Sequence, residues 1–413
     1  MDEQTVTPAN IVILGGGFGG VACALELGRL IRRHRLNARA RVFLVDRQAG
    51  QLYQPALYEA AASTRADAPA FKLKQAITVP YDEVLVGTGV RFIQAEVLSV
   101  NPVSRTVKLR GEPTLPYTHL VLALGAEPNF FDIPGLAEHA FTFKSFTSII
   151  RLRNRISEAL RRGERHPIVI CGGGTAGVEV AGELVGLLRK LGLAKPDIAI
   201  FEANPEILSG FHPAVVAAVS KRLGHLGVRV RTATKVVSAD AGGIRVTEAG
   251  TNQSEYVRSL VTIWAGGIQP NRILKELLVP HDARGRAEVS GTLRCAPNTY
   301  AIGDNSCFVD PKTNKPLPAV ARIAIVQGKV AARNAVAAIL RQPLLPYSAH
   351  RYPIVIPVGG KWAMADLIHI RISGFLGWCI KQLVELLYLS SILPFSRAIL
   401  LWIRGVSIYL TND

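Results

Sequence analysis

A strand, a glycine-rich turn and a helix follow one another twice in this 413-residue chain. Residues 11–26 read IVILGGGFGGVACALE, and residues 168–183 read IVICGGGTAGVEVAGE. Each copy starts with a short apolar run, turns through glycines and continues with the Ala, Val and Leu content of a helix. A second strand follows each copy and ends in an acid, Asp46 or Glu202. The duplication predicts an α/β fold with two Rossmann-like dinucleotide-binding domains.

The first motif has the G-x-G-x-x-G spacing at Gly15, Gly17 and Gly20. In such a motif the first glycine permits a tight turn, and the second lets the backbone approach a pyrophosphate. The third allows close helix packing, and the diphosphate lies at the helix N-terminus. Asp46 is placed to accept hydrogen bonds from ribose hydroxyls, so this motif predicts a dinucleotide site.

The second motif repeats this spacing at Gly172, Gly174 and Gly177, with Glu202 as its acid. A carboxylate suits a free 2′-hydroxyl and repels a 2′-phosphate, so Glu202 predicts NADH in preference to NADPH. We expect the basic residues Arg231 and Lys235 to lie away from Glu202, and no basic residue follows Glu202 directly in the sequence. The alternative interpretation is that Glu202 merely ends a strand.

Two dinucleotide sites in one chain require two ligands. Gly303 and Asp304 end a later strand in the segment TYAIGDNSCFVD, and an aspartate there can hold the ribitol hydroxyls of a flavin. We therefore predict that one site holds FAD and the other admits NADH. A flavin also explains why no nucleophile, metal cluster or acid/base pair stands out, because the isoalloxazine itself accepts the hydride.

The order of the motifs predicts a discontinuous first domain. Residues 1–145 are assigned to the first part of an FAD-binding domain, and residues 146–280 to an NADH-binding domain. Residues 281–345, which include a long helix from about Val320 to Leu340, return to the FAD-binding domain. Residues 346–413 form a C-terminal membrane-anchoring or dimerisation segment.

The C-terminal segment differs in composition from the rest of the chain. It holds three of the four tryptophans, and its longest uncharged run, Leu386–Ser396, is too short to cross a bilayer. We therefore expect no transmembrane helix. Instead, apolar stretches interrupted by basic residues predict amphipathic helices in the membrane interface, although an amphipathic helix docked on the body or on a second subunit is the alternative. The interrupting basic residues are Arg371, Lys381, Arg397 and Arg404.

Composition supports this interpretation and excludes several classes of protein. A net charge of +17 with only 19% charged and 49% hydrophobic residues favours an anionic membrane surface. The arginine-rich stretches 29–41 and 151–165 lack aromatic residues interleaved for nucleic-acid binding, so no nucleic acid is expected.

The five cysteines form no C-x-x-C, which argues against a thiol redox pair or a zinc cluster and predicts a reducing compartment. The N-terminal MDEQTVTPAN has no signal-peptide pattern, so export is not expected.

Several longer motifs carry a family resemblance. They include GGGFGG, LALGAEPNFFDIPGL, GGGTAGVEVAGEL, AIGD, PLPAVARIAIVQG and VGGKWA. With these motifs the chain resembles the two-dinucleotide-binding-domain flavoproteins and, within them, the type II NADH:quinone oxidoreductases, which are single-subunit, non-pumping NADH dehydrogenases of the respiratory chain. The resemblance implies that NADH is oxidised through FAD and that a membrane quinone receives two electrons. It also implies a homodimer bound peripherally at the cytoplasmic face of the inner or cell membrane.

The resemblance assigns site residues by their position in the motifs. It implies FAD contacts at Gly15, Gly17, Phe18, Gly19, Gly20, Asp46, Gly125, Gly303, Asp304 and Ala321. It implies NADH contacts at Gly172, Gly174, Thr175, Ala176, Gly177, Glu202 and Gly266, and no metal site. Glu179 matches a glutamate that the family places near the nicotinamide and flavin, and Lys361 of VGGK can neutralise a reduced flavin or a quinol anion. The alternatives are that Glu179 complements a helix dipole and that Lys361 is a surface lysine.

One helix departs from the family pattern. The quinone-side helix usually reads A-Q-x-A-x-Q-Q-G, whereas residues 321–328 read ARIAIVQG. Arg322 and Val326 replace both characteristic glutamines, while Gln327 and Gly328 remain, and Ile323 completes the predicted quinone side. The electron acceptor therefore stays open. It is a quinone, or the chain is a soluble diaphorase with another acceptor, or it is a redox sensor that binds FAD and NADH but turns over slowly. A sulfide:quinone oxidoreductase is a further alternative but requires paired cysteines.

Overall fold

The computed structural model describes residues 8–64, 66–251 and 253–410. The first seven residues of the stretch interpreted as lacking an export signal lie outside these ranges. The chain folds into two compact units. Unit 1 comprises the chain up to Leu52, Thr78–Glu127 and Ile268–Tyr352, and unit 2 comprises Tyr53–Ile77, Pro128–Gly267 and the chain from Pro353 onward. These limits differ from those expected at residues 145, 280 and 345, and the assignment of one cofactor to each domain stays a prediction.

The helices and strands are numbered in chain order. The helices are α1 (Phe18–Arg33), α2 (Leu57–Ala62), α3 (Ala70–Ile77), α4 (Tyr81–Val84), α5 (Leu136–His139), α6 (Phe146–Arg161), α7 (Thr175–Lys190), α8 (Pro213–Leu226), α9 (Ala321–Ile339), α10 (Phe375–Ile392) and α11 (Phe395–Tyr409). The strands are β1 (Ala9–Leu14), β2 (Ala40–Asp46), β3 (Gly50–Leu52), β4 (Thr78–Pro80), β5 (Val90–Gln94), β6 (Val97–Asn101), β7 (Thr106–Leu109), β8 (Leu115–Pro116), β9 (His119–Leu122), β10 (Ala126–Pro128), β11 (Ala140–Thr142), β12 (Ile168–Cys171), β13 (Ile198–Phe201), β14 (Arg229–Arg231), β15 (Thr234–Asp240), β16 (Gly243–Glu248), β17 (Ser254–Arg258), β18 (Val261–Trp264), β19 (Ile268–Pro270), β20 (Ala287–Glu288), β21 (Arg294–Ala296), β22 (Thr299–Ala301), β23 (Ser306–Cys307), β24 (Val309–Asp310), β25 (Lys315–Pro316), β26 (Ile354–Pro357), β27 (Ala363–Asp366) and β28 (Arg371–Gly374).

The core of unit 1 is a six-stranded sheet in the order β21-β22-β9-β1-β2-β5. Strand β1 pairs in parallel with β2 and β9, and β22 pairs in parallel with β9. Residues 11–14 of β1 are fully buried, as expected of a central strand with neighbours on both sides. Strand β22 comes late in the sequence yet pairs with β9. The late segment of the chain therefore contributes to the same sheet as β1, which leads into the first glycine turn.

Helix α9 packs along α1 in unit 1. The close approach requires Gly328, because a Cβ there would lie 2.3 Å from the carbonyl oxygen of Gly19. The glycine retained in the ARIAIVQG segment therefore serves helix packing.

The core of unit 2 is a five-stranded parallel sheet in the order β11-β18-β12-β13-β14. An antiparallel meander of β15, β16 and β17 and a second one of β26, β27 and β28 complete its strands. The two sheets, the first parallel except for β21 and the second wholly parallel, confirm with their helices the predicted α/β fold.

Helices α10 and α11 pack against each other in unit 2, and α10 lies on the sheet of β26, β27 and β28. Gly377 permits this contact, since a Cβ there would lie 2.1 Å from the carbonyl oxygen of Ala363. Helix α11 also contacts α3.

The sequence interpretation expected no membrane-spanning helix, and α10 is a candidate for one. Among the described residues this helix is long and apolar enough to cross a membrane by length and composition, with a mean hydropathy of 1.2 over 18 residues. Along the sequence, Lys381 and Glu385 interrupt the apolar run of this helix. In the helix both charged residues face the interior of unit 2, where they are buried. Lys381 is therefore not one of the basic residues facing a membrane surface.

Candidate functional site

The first glycine turn joins β1 to α1 in unit 1. Gly15 has a φ of +99°, and a Cβ there would lie 2.3 Å from the carbonyl oxygen of Ala123. At Gly20 a Cβ would lie 1.9 Å from the carbonyl oxygen of Gly15, so α1 can start this close to β1 only with glycine. Gly17 is the N-cap of α1 and has open space around it. The first turn of α1 thus presents its backbone N–H groups without a capping side chain, as a diphosphate site requires.

Asp46 holds the turn from the neighbouring strand. Its Oδ2 accepts from the backbone N–H of Gly16 at 2.7 Å, and its Oδ1 accepts from that of Gln48 at 2.8 Å. On the other side, the Tyr81 hydroxyl donates to the carbonyl of Gly16 at 2.9 Å. These contacts leave the Asp46 carboxylate at the carboxyl edge of the sheet, in the position from which it can also accept from ribose hydroxyls.

Gly125, Gly303 and Asp304, which are also predicted to contact FAD, lie at the same edge, because β9 and β22 are parallel to β1. Gly125 follows β9, and the short turn Gly303–Asn305 follows β22. The buried Asn305 side chain joins the two, since its Oδ1 accepts from the N–H of Gly125 and its Nδ2 donates to the Gly125 carbonyl. Asp304 is half-buried beside it. The cradle around Gly17 and this carboxylate fit a flavin dinucleotide.

Gln327 supports the same loop. Its Oε1 accepts from the N–H of Gly303 at 2.7 Å and from the Ser306 hydroxyl at 3.2 Å. Ile323 is also buried, Val326 and Ala321 are half-buried, and the guanidinium of Arg322 lies 5.9 Å from the centre of the Tyr352 ring. The assignment of this helix to the quinone side stays a prediction.

The second glycine turn, in unit 2, repeats the geometry of the first. Gly172 has a φ of +117°, and a Cβ at Gly177 would lie 1.9 Å from the carbonyl oxygen of Gly172. Gly174 is the N-cap of α7 and has open space around it. Thr175 and Ala176 begin α7, and the exposed Gly266 follows β18 at the same edge of the parallel sheet. The turn therefore fits a second dinucleotide.

Glu202 occupies the place that Asp46 has in unit 1. Its Oε2 accepts from the N–H of Gly173 at 2.6 Å, and its Oε1 accepts from the backbone and side-chain N–H groups of Asn204. The expectation that Arg231 lies elsewhere is wrong: its carbonyl accepts from the N–H of Glu202 at the adjacent strand end. The Arg231 side chain, however, pairs with Glu255 at 2.7 Å and lies over the Phe201 ring. Glu202 thus remains the charged group that the turn itself holds in place.

Glu179 lies on α7, just beyond the second glycine turn. Burial raises the pKa of its carboxyl from 4.5 to about 8, Lys381 lowers it and Glu59 raises it. This shift favours the protonated carboxyl near neutral pH, and the role of Glu179 stays a prediction. A strongly raised carboxyl pKa is typical of groups that hold or move a proton.

Lys361, the other predicted catalytic residue, lies in the turn between β26 and β27 and is exposed. The turn is anchored on α8, because the Arg222 Nε donates to the Val358 carbonyl at 3.0 Å. It is also anchored on α7, since Gly359 lies so close to Gly182 that a Cβ would be 2.2 Å from the Gly182 carbonyl oxygen. Whether Lys361 acts in catalysis stays a prediction.

A buried lysine that the sequence analysis assigned to the membrane surface lies near Glu179 instead. Lys381 Nζ is 2.7 Å from Glu59 Oε1 and 3.4 Å from Glu385 Oε2. Sequence reasoning also missed Tyr81, Asn305 and Glu59. A signal existed for the pair on α10, since Lys381 and Glu385 have helical i,i+4 spacing within an otherwise apolar run.

Sequence comparison now adds to this geometry. Residues 9–328 match the pyridine nucleotide-disulphide oxidoreductase family. The match spans well over half of the chain and includes both glycine turns, Asp46, Glu202 and the Gly303–Asn305 turn. The chain therefore belongs to this family of dinucleotide-dependent oxidoreductases.

More particular relatives lie within that family. The demethylphylloquinone reductase NdbB of Synechocystis sp. is 28% identical over 384 residues, which is 91% of each chain. The type II NADH:quinone oxidoreductase Ndh of Mycobacterium tuberculosis is 26% identical over 441 residues, covering 97% of this chain and 89% of the relative. In fold, NDH2 of Plasmodium falciparum in complex with NADH matches with a TM-score of 0.82 at 16% identity, covering 97% of this chain and 98% of that one. These matches confirm the predicted family resemblance.

Proposed function

We propose that this protein is a type II NADH:quinone oxidoreductase, which oxidises NADH and reduces a membrane quinone without pumping protons. The observation that carries the proposal is the pair of glycine turns, in each of which a carboxylate at the end of the next strand accepts from a backbone N–H of the turn. The relatives of the chain are named as quinone reductases. The chain binds FAD and NADH, and quinone is its substrate.

FAD held by the first glycine turn, Asp46 and Asp304 would supply the chemistry that takes a hydride from NADH and passes two electrons to the quinone. The residues of the chain bind and position the two dinucleotides. The N-termini of α1 and α7 would hold the diphosphates, and Asp46 and Glu202 would accept hydrogen bonds from ribose hydroxyls. We assign Asp304 to the ribitol of the flavin and Glu179 to holding a proton beside the reacting rings.

The cysteines weigh against the sulfide:quinone alternative. All five are free, and burial raises the pKa of the Cys171 thiol to about 12. Cys23, Cys171 and Cys307 are buried, and a buried thiol of raised pKa is a poor nucleophile. Neither the soluble diaphorase nor the redox sensor passes electrons rapidly to a quinone, so the test is quinone-dependent turnover.

We expect two phases in anaerobic stopped-flow absorbance of the purified flavoprotein. Addition of NADH should bleach the flavin, and subsequent mixing with a short-chain quinone should restore its absorbance rapidly. Reoxidation as slow as in a quinone-free control would contradict the proposal and favour a sensor or a diaphorase. A quinone that reoxidises the flavin would also establish that Arg322 leaves the acceptor site open.

We further propose that α10 and α11 bind a membrane surface, so that the enzyme is a peripheral protein at the cytoplasmic face. Between residues 371 and 410, nine large apolar side chains are exposed, and three exposed basic residues accompany them. Exposed apolar side chains concentrated on two neighbouring helices favour an interaction site, and the basic residues favour anionic lipid. The apolar residues are Phe375, Leu376, Leu383, Val384, Leu387, Phe395, Leu400, Ile403 and Leu410, and the exposed basic ones are Arg371, Arg397 and Arg404. A homodimer through this surface stays a prediction.

Replacing Leu383, Val384 and Leu387 together by serine should reduce binding to anionic liposomes at least about tenfold. Each side chain is about half exposed, and burying an apolar side chain of this size in lipid contributes roughly 1.5 kcal/mol or more. Liposome flotation measures the effect. The matched control replaces the exposed Val86, Val103 and Leu278 of unit 1 by serine and should float like the wild type. Equal flotation of both variants would refute the membrane assignment.

A further inference from the structure

A cavity in unit 1 lies at the edge of the six-stranded sheet opposite to the first glycine turn. The first residues of β1 and β9, Ala9 and His119, line it, and so does Ala338 near the end of α9. Strand β1 separates Ala9 from Gly15 by about 20 Å at the rise of an extended chain. The cavity is therefore not part of the dinucleotide site at that turn. Its volume of about 290 Å³ is close to the lower limit of small-molecule sites.

His119 gives this cavity a polar group that the fold leaves unused. The residue is only 4% exposed, and among the described residues its Nδ1 makes no hydrogen bond. Burial lowers the pKa of the imidazole to about 4, and the positive charges of Arg294 and Arg105 lower it as well. The ring is therefore neutral at neutral pH and keeps one donor and one acceptor. Because a buried polar atom without a partner destabilises a fold, such an atom in a native protein indicates a ligand, an ion or a water molecule.

The other polar groups of the wall favour an anion. Arg39 precedes β2, and its carbonyl accepts from the N–H of Ala9 at 2.8 Å, while its exposed guanidinium pairs with no acid of the described chain. The Thr118 hydroxyl accepts from the N–H of Asn10 at 3.1 Å and retains its own proton for donation. Asn298 adds a side-chain amide to the wall. Within the described ranges, the lining thus contains a cation and neutral hydrogen-bonding groups but no carboxylate.

The end of α9 forms an apolar part of the wall and does not oppose an anion there. A helix C-terminus carries partial negative charge on its last carbonyls. In α9 the carbonyls of Val336, Ala337 and Ala338 accept from N–H groups of the residues that follow the helix, which reduces this charge. Ala338 and Ile339 therefore contribute mainly apolar surface, and Ala9 of β1 extends it.

We propose that this cavity is a further ligand site, which binds a small phosphate monoester of about mononucleotide size. Arg39 holds the phosphate, because a guanidinium offers paired donors that match phosphate oxygens. A phosphate monoester is close to a dianion at neutral pH, which suits a cavity that has Arg105 and Arg294 near His119 in addition to Arg39. The apolar wall accommodates the body of the ligand, and His119 and Asn298 bond its polar atoms. The assignment goes beyond the proposed function, since it does not require that the chain reduce a quinone.

The test is isothermal titration calorimetry of the FAD-loaded protein saturated with NAD⁺, so that the dinucleotide sites are occupied. With AMP as the probe, we expect one molecule to bind per chain, at least about tenfold more tightly than adenosine, which lacks the phosphate. Arg39→Gln should weaken AMP binding at least about tenfold for the same reason. Arg33→Gln is the matched control, because it removes the same charge from the same arginine-rich stretch but does not line the cavity. It should bind AMP like the wild type.

A second variant separates a ligand-binding histidine from a structural one. His119→Phe keeps a flat ring and removes the buried atom that has no partner, so the melting temperature measured without AMP should equal or exceed that of the wild type. AMP binding by this variant should weaken at least about fivefold. If His119→Phe does not fold, Ala338→Leu takes its place, since a leucine there fills the cavity from α9 and should abolish AMP binding.

Two results would overturn the further site. One is a wild-type protein that does not bind AMP when saturated with NAD⁺, and the other is equal AMP binding by Arg39→Gln and Arg33→Gln, which would show that surface charge alone attracts the phosphate. Quinone-dependent reoxidation of the flavin is measured separately, so a failure of the proposed function is distinguished from a failure of this site.

Discussion

Gly177→Val is expected to weaken NADH binding at least about 100-fold while FAD stays bound. A Cβ at Gly177 would lie 1.9 Å from the carbonyl oxygen of Gly172, far inside van der Waals contact. The valine must therefore push the start of α7 away from the turn that ends β12. This movement displaces the N–H groups that are placed to face the diphosphate and separates them from the acid that binds the adjacent Gly173. The dissociation constant of NADH and the flavin absorbance of the purified variant measure the two effects.

The matched control is Gly224→Val on α8 of the same unit. A Cβ at Gly224 meets nothing within 4 Å, so valine fits there without moving the backbone. NADH binding by this variant should equal that of the wild type. If Gly177→Val also binds NADH normally, the second glycine turn is not the NADH site.

Lys381→Met is expected to lower the free energy of unfolding by about 3–5 kcal/mol, because it leaves two buried carboxylates without their cation. Glu59 and Glu385 are each 6% exposed and have no room to turn their charges to water. Methionine fills a similar volume, so the loss is electrostatic and not caused by a cavity. Denaturant unfolding monitored by circular dichroism provides the measurement. Lys221→Met, at an exposed lysine on α8, is the control and should change stability by less than about 0.5 kcal/mol.

The loss of folding stability in Lys381→Met should depend on pH. Without the ammonium, Glu59 or Glu385 takes up a proton in the folded state more readily than in the unfolded chain. A carboxyl whose pKa is higher in the folded than in the unfolded state stabilises the fold at low pH. This stabilisation is lost as the pH rises through the folded-state pKa. The variant should therefore be closest to the wild type near pH 5 and furthest from it near pH 8. A deficit of equal size at both values would show that these carboxyls do not titrate with folding.

Sequence reasoning correctly predicted the features that local pattern encodes. A short apolar strand followed by glycines and a helix has a single structural solution, so the two turns at Gly15 and Gly172 and the acids Asp46 and Glu202 were predicted from spacing. Their geometry in the structure follows from hard contacts between neighbouring backbone atoms, as at Gly20 and Gly177. These contacts lie within about 30 residues of sequence, as between Gly16 and Asp46.

Only the tertiary structure decided which distant residues meet. Lys381 and Glu59 are 322 residues apart, and Asn305 and Gly125 are 180 apart, so no local period relates them. Along the sequence Lys381 interrupts an apolar run and resembles a membrane-surface lysine. In three dimensions the helical turn places it with Glu385 on the inner face of α10, and the packing of α10 in unit 2 brings Glu59 to it. A sequence determines the period of a helix, but the partner of its buried face depends on packing, because desolvation of a charge is tolerated only where an opposite charge is already in place.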